Sequence, residues 1–109
     1  MIIQGVPFQL TDRSAWPVIR YEGATGHALW RTLEVGNIRV RMVEYSRKYG
    51  AGHRCSRGDV LLVMQGALET ELADGRRFTM TPGTSYRMAE GAKPQRSRTA
   101  IGATLFIVD

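Results

Sequence analysis

Three residues that can bind a metal lie close together near the middle of the 109-residue sequence: His53, Cys55 and Asp59. His53 and Cys55 are two positions apart, so on an extended segment their side chains point to one face. Asp59 follows where an apolar segment begins. An imidazole and a thiolate suit Zn²⁺, and a carboxylate also admits Fe²⁺, Ni²⁺ or Mn²⁺. If all three side chains face the interior of one β-barrel, they predict a divalent-metal site at its mouth.

Each of these residues also has a simpler interpretation. His53 can be a loop histidine that binds nothing. Cys55 can be a small buried apolar residue, or a reactive thiol between two arginines. Asp59 can begin a strand and pair with a nearby arginine. The alternative to a metal site is therefore a barrel without metal.

The rest of the sequence predicts short strands joined by turns, which must position these residues. Glycine and proline punctuate the chain at intervals of roughly 8–12 residues, which is typical of an all-β sandwich or barrel. We expect about eight strands with short antiparallel connections, which favour a jelly roll or closed barrel. The clearest segments are 38–45, 59–65, 68–72, 77–80, 86–89 and 103–108. Asp74 and Gly75 predict a type I′ hairpin turn within this set.

Alternation within the strands predicts which side chains face the barrel interior. In segment 59–65, Asp59 shares a face with Leu61 and Val63, while Val60, Leu62 and Met64 form an outer apolar face. That outer face must pack against another surface, and a twofold dimer is the simplest oligomeric arrangement that provides one. In the last third of the chain, Gln95, Ser97 and Thr99 face inward, and Arg96 and Arg98 face water. The aromatic residues are expected in the core or an interface, namely Trp30, Tyr45, Tyr86 and Phe106.

The segment 38–45 alternates between apolar residues and arginines. We expect the face with Ile38, Val40, Met42 and Glu44 to point into the barrel, and Arg39 and Arg41 to point outward. Glu44 is then a candidate general base, with a strand-end glutamate in water as the alternative. The expected lining of a ligand pocket is Met42, Leu61, Tyr86 and Ser97. His27 lies outside this group and is expected at the surface or at the start of a strand.

The stretch GHRCSRGDVLLVMQG, residues 52–66, resembles the first cupin motif, G-x5-H-x-H-x(3,4)-E-x6-G. His53, Cys55 and Asp59 fall on its three ligand positions, and Gly66 ends it. From Pro7 to Asp109 the chain more closely resembles the small cupins named for a DHCW motif, through PFQLTD, HRCSRG and LFIVD among other stretches. The resemblance implies a jelly-roll β-barrel, often dimeric, with a metal at its open end.

Two departures bear on the metal. The chain has Gly-His-Arg-Cys where that group tends to have Asp-His-Trp-Cys. In the second cupin motif the histidine position holds Pro94 or its neighbour Gln95. Proline offers no ligand atom, and an amide oxygen binds a transition metal more weakly than an imidazole does. Gln95 is therefore the candidate for a fourth ligand.

Composition limits the other possibilities. The chain has the length of one domain, expected as an N-terminal arm with the first strand (1–27) and a barrel (28–109). No apolar run approaches a membrane span, and no signal-peptide pattern is present. One cysteine and the absence of that pattern predict a cytoplasmic protein. The net charge is +5, and the basic residues are scattered along the chain rather than clustered in one block. We therefore expect a solvated basic surface and no nucleic-acid partner.

Together these features predict a small cupin that binds a divalent metal (Zn, Fe, Ni or Mn) and a small organic ligand. Homodimerisation is expected, and no specific reaction is assigned. An enzyme of this kind would be a metal-dependent oxygenase, isomerase or lyase. The alternative is a metal-free cupin that serves as a ligand-binding, sensor or dimerisation module.

Overall fold

The computed structural model describes residues 2–52, 58–91 and 95–109 and shows two antiparallel β-sheets. The strands are β1 (Val18–Glu22), β2 (His27–Val35), β3 (Ile38–Tyr45), β4 (Asp59–Gly66), β5 (Leu68–Leu72), β6 (Arg77–Met80), β7 (Ser85–Met88), β8 (Gln95–Arg98) and β9 (Ala103–Val108). A single turn of 3₁₀ helix, Arg13–Ala15, precedes them. The all-β prediction is confirmed, with nine strands in the described residues rather than about eight.

The two sheets enclose the core between them. The larger sheet has the strand order β1-β2-β3-β9-β4-β7, and the smaller has the order β6-β5-β8. Buried and exposed residues alternate along β4, β8 and β9, and the sequence pattern predicts this alternation for β4 and β8. Val43, Val63 and Leu105 of the larger sheet are fully buried together with Leu68 of the smaller one. This packing holds the inner faces of both sheets in fixed positions.

The inward face of β3 is the opposite of the predicted one. Val43 is fully buried in the core, and its neighbours on that face are Arg41 and Tyr45. Met42 and Glu44 lie on the outer face instead. Glu44 forms an ion pair with Arg31 at 3.1 Å.

The error over β3 has a physical cause. Met42 stands opposite Phe106 in the sheet register, so the outer face of this sheet is itself apolar. The arginines of the inner face are neutralised by Asp109, a contact that alternation within one strand does not reveal. Counting apolar residues on each side of β3 therefore selects the wrong side.

The outer apolar face of the larger sheet is centred on β4. Val60, Leu62 and Met64 point outward as predicted and are 44%, 37% and 46% exposed. Leu62 pairs with Phe106, and Val60 pairs with Val108, so the apolar surface continues onto β9. We use "outer apolar face" for these five residues.

The hairpin between β5 and β6 is confirmed, but its turn is not type I′. The loop is Ala73–Gly75, closed by a hydrogen bond from the Leu72 amide to the Arg76 carbonyl. Only Gly75 has a positive φ, of 91°, whereas a type I′ turn needs two such residues. The observed loop has three residues and ends in a glycine with a positive φ. An Asp-Gly pair suits this loop as well as it suits a type I′ turn.

The outer face of the smaller sheet carries alternating charges. Arg98 binds Glu69 at 2.5 Å, and Arg96 and Arg77 lie near Glu71 at 3.4 and 3.2 Å. Much of the basic charge in the described residues is therefore paired across strands. This arrangement agrees with the expected solvated basic surface.

Candidate ligand-binding site

A cavity of about 520 Å³ lies between the two sheets. Every strand that borders it contributes an inward-facing residue because alternate positions point to this side. The main wall residues are Tyr21, Trp30, Arg41, Tyr45, Tyr49, Asp59, Leu61, Tyr86, Gln95 and Ser97. The cavity thus combines flat aromatic walls with a few polar groups.

Two aromatic pairs form much of the wall. Tyr21 of β1 packs edge-to-face on Trp30 of β2, with ring centroids 5.9 Å apart. Tyr45, at the end of β3, stacks on Tyr49 at 4.2 Å with nearly parallel rings. Such pairs stabilise fixed ring positions. The two pairs therefore give the cavity flat aromatic surfaces.

A chain of hydrogen bonds crosses the cavity wall from β8 to β7. The Gln95 side-chain amide donates to the Tyr86 hydroxyl at 3.2 Å, and the Ser97 hydroxyl donates to the Gln95 carbonyl oxygen at 3.4 Å. Gln95 and Ser97 are each 8% exposed. Their inward orientation was predicted from the alternation of β8. Buried polar groups of this kind are the usual source of orientation for a bound ligand.

The hydroxyl group of Tyr45 belongs to the same polar region. Burial raises the pKa of Tyr45, and the proximity of Tyr49, Tyr86 and Asp59 raises it further. The phenol therefore stays protonated at neutral pH. It is a permanent hydrogen-bond donor at the cavity.

Arg41 contributes the only guanidinium group to the described wall of the cavity. Its guanidinium carbon lies 4.8 Å from the centre of the Trp30 ring, and its Nη2 lies 2.5 Å from Asp109. Arg39 binds the same carboxylate through two nitrogens, at 2.9 and 2.6 Å. Burial of Asp109 opposes ionisation, but the contacts with both arginines outweigh it and lower the pKa of the carboxyl group.

The structure brings together two of the four predicted metal ligands. Asp59 and Gln95 both line the cavity, whereas His53 and Cys55 lie outside the described residues. Gln95 already acts as a donor and as an acceptor within the protein. Within 2–52, 58–91 and 95–109, no three histidine, cysteine or acidic side chains come together as a metal site. The described ligand set therefore consists of one suitable carboxylate, and the full site stays a prediction.

The other predicted site residues fall into two groups, those that line the cavity and those that do not. Leu61, Tyr86 and Ser97 line the cavity, but Met42 and Glu44 do not. Glu44 lies on the outer face of β3 and pairs with Arg31, so its role as a general base stays a prediction without support from the cavity. Sequence reasoning missed Arg41 and Tyr49 as cavity residues. It placed Trp30 and Tyr45 in the core or an interface, whereas both also border the cavity.

Comparisons with known proteins agree on the fold. No protein-family model matches the chain, and no curated protein matches it. Solved structures do match, including the polyketide cyclase RemF from Streptomyces resistomycificus, with a TM-score of 0.77 and 18% identity over 94% of this chain and 78% of that one. A sugar phosphate isomerase of the cupin superfamily from Silicibacter pomeroyi gives 0.72 and 18% over 92% and 74%. Fe(II)-HppE gives 0.75 and 15% over 96% and 60%.

The chain has a cupin-type jelly-roll fold. Its two facing antiparallel sheets, the cavity between them and the structural matches all show this fold. Identities of 15–18% show the fold alone. The narrower resemblance to the DHCW group stays a prediction. Within the described residues, no helix has the length and apolar character needed to cross a membrane.

Proposed function

We propose that this cupin-type domain binds a small organic ligand in the cavity between its sheets. The observation that carries the proposal is that the buried polar groups of Gln95 and Ser97 converge with the partly buried Tyr45 on an aromatic-walled cavity. Its volume of about 520 Å³ falls in the usual range for small-molecule sites. The similar structures include an isomerase and a cyclase with different chemistry, so we assign no specific reaction.

Small ligands can be located on the protein by NMR. A panel of hydroxylated and carboxylated organic molecules is titrated into isotope-labelled protein, and amide chemical shifts are followed. At least one compound should shift the amides of Tyr45, Ser97 and Tyr86 together in a saturable manner. Shifts confined to the outer apolar face, or the absence of saturable shifts across the panel, would contradict a cavity site.

We further propose that a divalent metal (Zn, Fe, Ni or Mn) binds beside this cavity through Asp59, His53 and Cys55. The position of Asp59 in the cavity wall supports the carboxylate part of this set. One similar structure is of an Fe(II) protein. When bound, the metal would supply a Lewis acid to the ligand.

Equilibrium dialysis followed by elemental analysis tests the metal proposal. We expect near-equimolar metal on the wild-type protein and at least about tenfold weaker binding for Asp59→Asn, because a charged ligand is lost. Asp74→Asn, in the β5–β6 loop, is the matched control and should bind as the wild type does. If the wild-type protein binds none of the four metals, the proposal fails and the metal-free alternative stands.

The proposed partner besides the ligand is a second copy of the chain. The outer apolar face supports this because its central residues stay more than a third exposed, and such patches mark association sites. We also propose a cytoplasmic location, supported by the single cysteine in the sequence.

A further inference from the structure

A second cleft opens beside the cavity, between β6 and β7. It has a volume of about 460 Å³, and its apolar lining comes from Leu72, Phe78, Met80 and Met88. Met80 is buried, whereas the Phe78 ring is 48% exposed. Methionine side chains adapt to the shape of an apolar group, and an accessible aromatic ring offers a flat surface for stacking.

The cleft adjoins the cavity described above. Tyr86 and Gln95 line both spaces, and the hydrogen bond between their side chains lies at the boundary between them. A ligand that fills the cavity and touches this pair is therefore already at the inner edge of the cleft. On the cavity side, Ser97 offers a hydroxyl group next to this pair, and on the cleft side the apolar lining begins.

The charged residues at the cleft further limit which ligands it can bind. Among its described lining residues, the ionised groups are those of Arg76 and Arg87. Arg76 lies 6.0 Å from the centre of the Phe78 ring and is held by Asp74 at 2.9 Å. Two guanidinium groups disfavour a cationic ligand. They are compatible with the electron-rich face of an aromatic ring.

We propose that this cleft is a second compartment of the ligand site, and that the ligand is an amphipathic molecule with a flat apolar body. Its body lies against Phe78 and Met88, and its oxygen-bearing end reaches Tyr86, Gln95 and Ser97 in the cavity. This inference rests on the proposed function. It names the class of molecule that the site takes.

Phenol and 2-naphthol form a matched pair of probes. Both carry one hydroxyl group, but 2-naphthol has a second fused ring that can extend from the cavity boundary at Tyr86 and Gln95 into the cleft. We expect 2-naphthol to bind about tenfold more tightly because that ring buries further apolar area. In NMR titrations, both probes should shift the amides of Ser97 and Gln95. Only 2-naphthol should also shift those of Phe78 and Met88.

The substitution Phe78→Asp should remove the tenfold advantage of 2-naphthol and leave the affinity for phenol within about twofold, since a carboxylate replaces the stacking surface. Ile101→Asp is the control. It makes a similar change at a residue that is 59% exposed and does not line the cleft. Since Phe78 is itself half exposed, the amide spectrum should stay that of a folded protein.

The outcomes separate the two proposals. If phenol binds at Ser97 but 2-naphthol gains no affinity, or if its advantage survives in Phe78→Asp, the second compartment is wrong while the cavity site stands. If 2-naphthol shifts only cleft amides, the cleft is a separate site and the inference is also wrong. If neither probe shifts cavity amides, both proposals are contradicted.

Discussion

The carboxylate of Asp109 compensates the positive charges of the two arginines on the inner face of β3. Its carboxylate is 4% exposed and contacts both Arg39 and Arg41. Removing one partner of a buried ionic group leaves the other charges without compensation, which is strongly destabilising. Arg41 in turn packs on Trp30 in the cavity wall. The shape of the ligand site therefore depends on a carboxylate at the end of β9.

We predict that Asp109→Asn lowers the free energy of unfolding by about 3 kcal/mol at neutral pH. The pKa of this carboxyl group is lowered in the folded protein. Its ionic stabilisation is therefore complete above the unfolded-state pKa and is lost as the pH falls through the folded-state value. Urea denaturation should show a gap between wild type and variant that is full at pH 7 and closes below about pH 4.

Asp74→Asn is the control for this experiment, because Asp74 pairs with an exposed arginine in a loop. It should change stability by less than about 1 kcal/mol. A gap for Asp109→Asn that stays constant down to strongly acidic pH would show that the ionised carboxylate is not the stabilising group.

Individual residues differ in how far the sequence alone predicts their roles. The inward positions of Asp59, Gln95 and Ser97 follow from alternation within their own strands. The position of Arg41 does not, because an arginine faces inward only where another segment supplies a counter-ion. That counter-ion is 68 residues away in sequence.

Among the strands, the β4–β5 junction is the most tightly constrained. Gly66 has a φ of 75°, and a Cβ at this position would overlap the carbonyl oxygen of Gly102. The close approach joins the end of β4 to the start of β9. It also directs the chain from the larger sheet into the smaller one.

We predict that Gly66→Ala destabilises the protein by at least about 3 kcal/mol, because backbone strain and a backbone clash act together. Gly83→Ala is a close control, since Gly83 has a φ of 91° but nothing within 4 Å of an added Cβ. It should cost only about 1–2 kcal/mol. Equal losses for the two variants, measured by chemical denaturation, would contradict the close approach at Gly66.

Strand prediction succeeded where an apolar run or clear alternation between turn residues defined the element, as in β4, β5 and β9. It assigned the wrong inward face to β3, since both faces of that strand lie against other groups. The hairpin signal of Asp74 and Gly75 located the β5–β6 turn. It did not define the turn type. That type depends on how many residues between the two strands stay outside their hydrogen-bonded pairing.

At the scale of the whole molecule, the described residues form an extended apolar surface, the outer apolar face. Cross-strand pairs such as Leu62 with Phe106 make it continuous over β4 and β9. The resemblance to cupins implied a dimer, and we place its proposed interface on this face. It lies on the side of the larger sheet away from the cavity, so a dimer formed there leaves the ligand site accessible.

We predict that the wild-type protein is a dimer by light scattering and that Leu62→Asp converts it to a monomer, because a carboxylate would be buried in the interface. Ile101→Asp places the same charge on another exposed apolar residue and should leave the dimer intact. Loss of the dimer in both variants, or a monomeric wild type, would contradict this interface.

The fold class could be predicted from the sequence because strand length, turn residues and the motif register all pointed to one architecture. The ligand could not, since the chemistry of a cavity depends on contacts between distant segments, such as that of Arg41 with Asp109. The metal site stays a prediction, because His53 and Cys55 lie outside the described residues. Cupin-type folds support many functions, so the cavity has to be tested directly.

The most direct test uses Trp30 as a reporter of the cavity. The chain has two tryptophans, so in a Trp16→Phe background the fluorescence comes from Trp30 alone. A ligand found by the NMR panel should change this fluorescence in a saturable manner. Ser97→Leu should weaken that response by at least about tenfold, because it removes the hydroxyl group and occupies part of the cavity, while the same change at outward-facing Ser85 should not. An unchanged response in Ser97→Leu, or an equal loss in Ser85→Leu, would contradict a ligand site between the sheets.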